Sequence, residues 1–316
     1  MSDLSKPMFK SETKARAWLE SHIWPNGPVC PHCGADDATR LEGESHREGL
    51  LQCNACREQF TVTVGTVFER SKIPLTKWLS AVYLLSASKK GISTSQLSRM
   101  LGLPYKTAWF MTHRIRLAMK DGTFSALGGS GKTVEADETY YGNVEATRRL
   151  RNPRGKSSGS EKWKVLALVE RGGKSRSIHL DFITANEVRH NLVTNVDRKS
   201  DLMTDEANVY TNVGNEFASH KTVNHGEKEY ARGPVSTNTV EGFFSIFKRG
   251  MKGIYQHCGE AHLHRYLAEF DFRYSHRVKL GYSDMDRTIM ALKGIVGKRL
   301  TYRRTYEATF ANPPPF

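Results

Sequence analysis

The stretch VEADETYYG (residues 134–142) decides how the second half of the chain folds. Its apolar residues, Val134 and Ala136, alternate with polar ones, a pattern typical of a half-buried β-strand. Asp137 and Glu138 then stand side by side where this pattern ends, and charge in such a place is costly unless it closes a turn or binds a ligand. Asp137 is therefore either a turn residue or one part of a metal site.

Further elements follow this strand in an informative order. The spacing of apolar residues predicts three strands, an amphipathic helix, a fourth strand ending at Asp205, a fifth strand and a last helix. Their ranges are 132–142, 162–170, 174–183, 185–196, 200–205, 219–225 and 236–252. This is the order of an RNase H-like mixed sheet, an α/β fold in which the first and fourth strands are neighbours.

Neighbouring first and fourth strands would place Asp137 and Asp205 together, and Glu241 follows after 35 intervening residues. The last helix has an apolar stripe and leaves Glu241 on a separate face; the stripe is Val240, Phe244, Phe247 and Met251. Three converging carboxylates repel one another unless cations lie among them, and their oxygens select Mg²⁺ or Mn²⁺. The pattern predicts a two-ion site for phosphodiester chemistry. Glu138 and Glu206 should point elsewhere, because strand side chains alternate.

Each acidic residue also has a purely structural interpretation. Asp137 can close a turn, and Thr204 or Asp205 can cap a helix that starts at Glu206. Asn238 and Glu241 have the spacing of a capping box at a helix start. Taken together, the three carboxylates favour the metal site.

The charge balance predicts a nucleic-acid partner. The 316 residues include 47 Lys and Arg against 33 Asp and Glu, a net charge of +14, which favours polyanions, although a basic enzyme with scattered lysines gives the same balance. Residues 143–164 hold seven Lys and Arg against two Glu, so they form either a phosphate-contacting loop or a solvated linker. The candidate DNA contacts in this loop are Arg148, Arg149 and Arg151.

The chain has neither an N-terminal apolar signal segment nor a run near the roughly 18 apolar residues of a membrane span. We therefore expect a cytoplasmic, nucleoid-associated protein with no membrane partner.

Two CxxC pairs indicate zinc. Cys30 and Cys33 are separated from Cys53 and Cys56 by a 19-residue spacer, which suits tetrahedral Zn²⁺ with four thiolates. Disulfides are the alternative, but a cytoplasmic chain disfavours them. The sequence predicts a structural zinc ribbon, with residues 60–68 as its hairpin strands. Such ribbons contact DNA or protein, and the net charge favours DNA.

Residues 75–119 are helical in pattern and have the outline of a helix-turn-helix. Ser93 or Thr94 can cap a short helix, Gly102 makes a turn, and Pro104 can start a second helix. The residues expected on the polar side of that second helix are Lys106, Thr107, Arg114 and Arg116. We predict DNA contacts for Lys106 and Arg114; a plain helical connector is the alternative.

These stretches together resemble the DDE transposases and integrases, and more narrowly the bacterial insertion-sequence transposases with an N-terminal zinc ribbon, the ISXO2-like group. The matching motifs are CPHC…CNAC, VEADETYYGN, LMTDEANVY, VNHGEKEYARG, STNTVEGFFSIFKRGMKGIYQH and LAEFDFRYSHR. The resemblance implies an RNase H-like enzyme that cuts at the inverted-repeat ends of its element, after which the freed 3′-hydroxyl attacks target DNA. It also implies a homo-oligomer, at least a dimer, that pairs two ends.

The resemblance implies catalytic and metal-binding roles for Asp137, Asp205 and Glu241. Asparagine sometimes takes the glutamate's role in this group, so Asn238 is a substitute or supporting ligand. Lys248 stands seven residues after Glu241 and joins the catalytic set.

Phosphate contacts are expected from basic residues beside the site. Lys248 and Arg249 would bind DNA phosphates, and His225 would contact the scissile phosphate. A solvated helix face and a loop histidine without a role are the alternatives.

We expect four units along the chain. They are a zinc ribbon (17–70), a helical DNA-binding domain (71–121), the RNase H-like catalytic domain (130–280) and a C-terminal tail (281–316). Two other functions use the same features: an RNase H-like nuclease that only hydrolyses DNA, and a non-catalytic zinc-ribbon DNA-binding regulator derived from a transposase.

Overall fold

The computed structural model describes residues 3–122, 125–142 and 162–301. The first elements are α1 (Glu12–Ile23), β1 (Ala38–Arg40), β2 (Leu51–Cys53), β3 (Gln59–Phe60), α2 (Leu75–Ala87), α3 (Thr94–Leu101) and α4 (Tyr105–Met119). The following elements are β4 (Thr133–Tyr141), β5 (Trp163–Glu170), β6 (Ser175–Leu180), α5 (Ala185–Asn195), β7 (Asp201–Asp205), β8 (Ser219–Val223), β9 (Ala231–Arg232), β10 (Val235–Ser236), α6 (Asn238–Gly250), α7 (Leu263–Ser275) and α8 (Asp284–Lys293). Within these described ranges, no helix has the length and apolar character that crossing a bilayer requires.

The N-terminal sheet is a small antiparallel ribbon with the order β1-β2-β3. β3 ends at Phe60, so the prediction of hairpin strands over 60–68 is wrong. The chain turns at Gly65, where φ is +71°, a conformation that glycine adopts without steric cost. Val67 and Phe68 are buried in the core of the helices instead of extending the ribbon.

The predicted helix-turn-helix outline is present. α2 starts after Pro74, and the Ser93 hydroxyl caps α3 by accepting a hydrogen bond from the Gln96 N–H (3.1 Å). Gly102 ends α3 with a left-handed φ of +57°, and Pro104 precedes α4. α3 and α4 therefore meet at a tight turn, with α2 packed against them.

The C-terminal residues differ from the predicted tail over 281–316. Ser283 starts α8 with a capping box, in which the Asp286 N–H donates to the Ser283 hydroxyl (3.2 Å) and the Ser283 N–H donates to the Asp286 carboxylate (2.9 Å). Leu292 is then buried in the same apolar cluster as α2. α8 therefore completes the N-terminal helical unit, while residues 302–316 lie outside the described residues.

The large sheet has five strands in the order β6-β5-β4-β7-β8. β6, β5 and β4 pair antiparallel, and β4, β7 and β8 pair parallel. α5 packs against one face, and α6 and α7 against the other. The predicted α/β class and RNase H-like strand order are confirmed, with the first and fourth strands of the sheet as neighbours.

A buried ion pair joins the helical unit to the sheet unit. Nε of Arg116 on α4 donates to Oε2 of Glu269 on α7 over 2.6 Å, and neither side chain is exposed. Arg273 and the Tyr255 hydroxyl also donate to this carboxylate. Buried charges persist when each is compensated by a partner, and Arg116 is therefore a structural residue rather than a member of the predicted polar side of α4.

Candidate functional site

The four predicted zinc ligands lie together in the ribbon. The sulfurs of Cys30, Cys33, Cys53 and Cys56 all lie within 4.8 Å of one another; Cys30 and Cys56 are 3.7 Å apart, and Cys33 and Cys53 3.5 Å. Zn–S bonds of about 2.3 Å in a tetrahedron separate the sulfurs by about 3.8 Å. All four cysteines are free thiols. The cluster fits one structural Zn²⁺.

Asp137 and Asp205 occupy matching positions on neighbouring parallel strands. The last pair between β4 and β7 is Glu135–Met203. When this register is continued by two residues, Asp137 lies opposite Asp205. β7 ends at Asp205, but β4 continues to Tyr141 because it pairs with β5 over its whole length. The strand predicted over 132–142 is therefore present, and the two aspartates lie where β4 and β7 stop pairing, Asp137 within β4 and Asp205 at the end of β7.

Both aspartates are on the face of the sheet that α6 covers. Val134, Ala136 and Leu202 belong to the apolar cluster on the α5 side. Because side chains alternate along a strand, Asp137 and Asp205 belong to the opposite face, where the residues of α6 pack.

Electrostatic repulsion is concentrated at these aspartates. Burial raises the pKa of Asp137 to about 7, and the charges of Glu138, Asp205 and Glu241 act in the same direction. A hydrogen bond from the Glu138 N–H (2.7 Å) offsets part of this effect. Burial also raises the pKa of Asp205. A bound cation relieves such repulsion, and an all-oxygen donor set suits Mg²⁺ or Mn²⁺.

The neighbouring acids point elsewhere, as predicted. The Tyr210 hydroxyl donates to the Glu138 carboxylate. The Glu206 carboxylate accepts hydrogen bonds from the N–H groups of His225 (3.0 Å) and Gly226 (3.1 Å). These two glutamates therefore stabilise the loops around the site.

Glu241 lies in the first turn of α6, with a side chain that is 44% exposed. Its Oε1 accepts a hydrogen bond from the Thr237 hydroxyl (2.9 Å) and lies 3.4 Å from Nε2 of His225. α6 begins at Asn238, which is exposed, and Thr237 is the residue that precedes the helix, so Asn238 and Glu241 do not form a capping box. The oxygens of the three candidate carboxylates do not all lie within 4.8 Å of one another.

The basic residues predicted beside the site follow on the same helix. Lys248 and Arg249 are exposed in the last turn of α6, two turns or about 10 Å beyond Glu241. Nε of Arg249 donates to the carbonyl of Ser245 (3.1 Å). His225 thus lies next to Glu241, whereas Lys248 and Arg249 lie two turns beyond Glu241 on α6.

The predicted DNA contacts in the helical unit have different environments. Lys106 is exposed in the first turn of α4. Arg114 is buried; it donates to the carbonyl of Glu69 (2.6 Å), and its guanidinium lies over the rings of Trp78 and Phe110. The prediction that Arg114 lies on the polar side of α4 is wrong, because its side chain is buried; its contact with DNA stays a prediction. The loop candidates Arg148, Arg149 and Arg151 lie outside the described residues.

Glu135 and Arg171 were not predicted from the sequence as functional residues. Glu135 is fully buried and forms a 2.5 Å ion pair with Arg171. The available signal was Glu135 itself, a charged residue two positions before Asp137 and therefore on the same face of the strand. The partner could not be identified from spacing, because Arg171 follows β5.

Two family models match the chain. Residues 127–275 match the ISXO2-like transposase domain, which includes both aspartates and Glu241. Residues 10–59 match the transposase zinc-ribbon domain, which includes all four cysteines.

One relative and one solved structure illustrate the similarity. An uncharacterized protein in transposable element ISH50 of Halobacterium salinarum is 29% identical over 277 residues, which cover 84% of this chain and 91% of the relative. A simian T-cell lymphotropic virus intasome in complex with PP2A regulatory subunit B56 gamma matches over 56% of this chain, with 14% identity and a TM-score of 0.28. The match covers 63% of the intasome chain, which is less than two thirds of its length. At that TM-score the likeness adds nothing to the assignment.

Proposed function

We propose that this chain, which belongs to the ISXO2-like transposase family, cuts DNA at the terminal inverted repeats of an insertion sequence and joins the freed 3′ ends to target DNA. In the first step water attacks a phosphodiester, and the 3′ oxygen leaves as a hydroxyl after it takes up a proton. In the second step this hydroxyl attacks a target phosphodiester, so that one P–O bond forms as another breaks.

One observation carries the proposal. Asp137 and Asp205 are opposite each other in the register of two parallel strands, on the face against which α6 packs with Glu241 in its first turn. The raised pKa of Asp137 supports a carboxylate cluster that needs a cation to be stable in its charged form.

We assign the divalent ions to the carboxylates of Asp137, Asp205 and Glu241, with Asn238 as a supporting ligand. Two bound Mg²⁺ or Mn²⁺ ions would activate the attacking oxygen and stabilise the leaving 3′ oxygen. Asp137 has to lose its proton to serve as a ligand. To bind an ion, the Glu241 carboxylate has to give up its hydrogen bond from the Thr237 hydroxyl and rotate. Its half-exposed side chain has room for this rotation.

Basic side chains would hold the DNA. Lys248 and Arg249 are exposed beyond Glu241 on α6, where they can neutralise backbone phosphates, and His225 lies next to the carboxylate itself. Lys106 would contact DNA from the helical unit. The loop arginines are assigned the same role from charge alone: Arg148, Arg149 and Arg151. Pairing of two element ends requires at least a dimer.

A strand-joining assay tests the proposal. Zinc-loaded protein is mixed with Mg²⁺, labelled DNA carrying the element's own terminal repeats, and a plasmid target. We expect label to become covalently attached to the plasmid with the wild-type chain and not with Asp205→Asn. The matched control is Asp201→Asn at the other end of β7, whose carboxylate contacts the Ser219 hydroxyl and which should retain joining.

Other results would select a different function. Cleavage without joining would indicate a nuclease that only hydrolyses DNA. Binding to the repeats without either reaction, in Mg²⁺ and in Mn²⁺, would indicate a DNA-binding regulator.

A further inference from the structure

We propose that Glu135 and Arg171 are positioning residues that hold the first turn of α6, and with it Glu241, at a fixed place relative to Asp137. The effect on metal binding rests on the proposed function above. The contacts of the Glu135–Arg171 pair are independent of that function.

Glu135 connects the central strand to the helix. Its Oε2 accepts hydrogen bonds from the backbone N–H groups of Thr239 (2.7 Å) and Val240 (3.0 Å) in the first turn of α6. The first N–H groups of a helix have no partner within the helix, and the residue before α6, Thr237, makes no side-chain cap. A strand carboxylate therefore caps the helix that carries Glu241.

Arg171 fixes the other end of the same connection. Its Nε donates to Oε1 of Glu135 (2.5 Å). One terminal nitrogen donates to the Pro234 carbonyl (2.6 Å), and the other donates to the carbonyl (2.8 Å) and hydroxyl (2.9 Å) of Ser236. One guanidinium thus binds the strand and also β10, the segment that leads into α6.

The charges make this arrangement specific. The Glu135 side chain has 0% exposure, and an unpaired carboxylate would be very costly there. The positive end of a helix dipole and a guanidinium compensate it from two sides. A lysine cannot replace the arginine, because a single ammonium cannot reach the four acceptor oxygens on three residues that the planar guanidinium contacts.

The geometry links this pair to the candidate metal site. Glu135 and Asp137 are two residues apart on one face of β4, about 7 Å along the strand. Glu241 follows Val240 directly on α6. β4, which supplies Asp137, therefore also determines where α6, which supplies Glu241, begins. Loss of a residue that positions a metal ligand typically weakens metal binding about 10- to 100-fold.

Three variants test the inference. Glu135→Gln keeps an oxygen for the two amides and removes the charge, whereas Arg171→Met removes the link to β10. The double variant Glu135→Leu/Arg171→Met replaces both charges by apolar groups, a change that buried ion pairs tolerate, so it stays folded where a single variant fails to fold. The matched control is Glu170→Gln, whose carboxylate pairs with Lys132 (2.8 Å) instead of α6.

Two measurements are made on the zinc-loaded protein without DNA. Electron paramagnetic resonance of free Mn²⁺ gives the midpoint of Mn²⁺ binding, and hydrogen exchange gives the protection of the Thr239 and Val240 amides. We expect each single variant and the double variant to raise the Mn²⁺ midpoint about tenfold, without adding to one another because the two residues act as one unit. The double variant should also expose both amides to exchange, and Glu170→Gln should match the wild type in both measurements.

The inference is overturned if the double variant keeps the wild-type Mn²⁺ midpoint, or if its two amides remain protected. If the wild-type chain neither binds Mn²⁺ nor joins DNA, the proposed function fails. Amide protection in the double variant still decides in that case whether Glu135 and Arg171 hold the helix.

Discussion

Oε1 of Glu241 lies 3.4 Å from Nε2 of His225, and the Thr237 hydroxyl contacts both, at 2.9 Å and 3.2 Å. The candidate third ligand is therefore held by two partners outside the pair of aspartates. A divalent ion at the aspartates has to compete with these partners for the carboxylate.

This competition predicts that Thr237→Val tightens metal binding. Valine keeps the shape of this buried side chain but cannot donate to Glu241, and a hydrogen bond to a carboxylate contributes about 1 kcal/mol or more. We expect the Mn²⁺ midpoint of the zinc-loaded protein to fall about fivefold, measured by titration calorimetry. Weaker binding in this variant would mean that the hydroxyl orients Glu241 toward the ion instead of restraining it.

The raised pKa of Asp137 predicts a pH dependence of stability in protein without divalent ions at the carboxylates. The pKa of this carboxyl is about 7 in the folded chain and about 3.9 in an unfolded chain. Between these values only the folded chain binds the proton, so the free energy of unfolding decreases as pH rises from about 4 to 7. Asp137→Asn should remove this decrease and raise the Tm at pH 8 by about 4 °C, while it abolishes strand joining.

Scanning calorimetry at pH 5 and pH 8, in buffer free of Mg²⁺ and Mn²⁺, measures this effect. Asp201→Asn on β7 is the control and should keep the wild-type slope. The same slope in Asp137→Asn would assign the pH dependence to another group.

The cysteine geometry predicts that zinc is bound by the CxxC pairs alone. Cys53→Ser should lose about one zinc ion per chain and unfold the ribbon, because binding of a structural zinc is coupled to folding. Cys258→Ser removes the fifth cysteine and should keep the metal. Elemental analysis gives the zinc content, and hydrogen exchange over β1–β3 reports the ribbon. Equal zinc contents in the two variants would contradict the assignment.

Lys106 and Arg114 should respond differently to substitution. Lys106→Ala should weaken DNA binding and lower the slope of log K against log salt by about 1, with no change in Tm. Arg114→Met breaks the hydrogen bond to the Glu69 carbonyl and should destabilise the fold by about 2 kcal/mol. Fluorescence anisotropy at several salt concentrations and thermal melts separate the two effects. A loss of DNA affinity in Arg114→Met at unchanged Tm would restore a DNA contact for Arg114.

The parts of the fold that were predictable are those with local signals. The CxxC spacing identified the four cysteines, the caps at Ser93 and Gly102 identified the helical turn, and the order of strands and helices identified the sheet. The apolar stripe predicted with Val240 and Phe244 is buried in the structure, because helical spacing alone determines which side of a helix is buried.

The errors came from long-range packing. Arg114 is separated by 45 residues from Glu69, whose carbonyl it binds, and nothing in helical spacing reveals that partner. Glu135 was passed over because its partners, Arg171 and the first turn of α6, are brought to it only by the folded sheet.

The position of α8 has a consequence for how such proteins recombine. α8 follows the sheet unit in the chain, yet Leu292 is buried with α2 in the helical unit, and the Val67 N–H donates to the Ile295 carbonyl (3.1 Å). In topological terms the sheet unit is an insertion between two segments of one helical body. A single crossover between two related genes, placed between α4 and β4, would combine α2 from one parent with α8 from the other. Exchange of the helical unit between mobile elements therefore needs two crossovers, or an interface between α2 and α8 that both parents share.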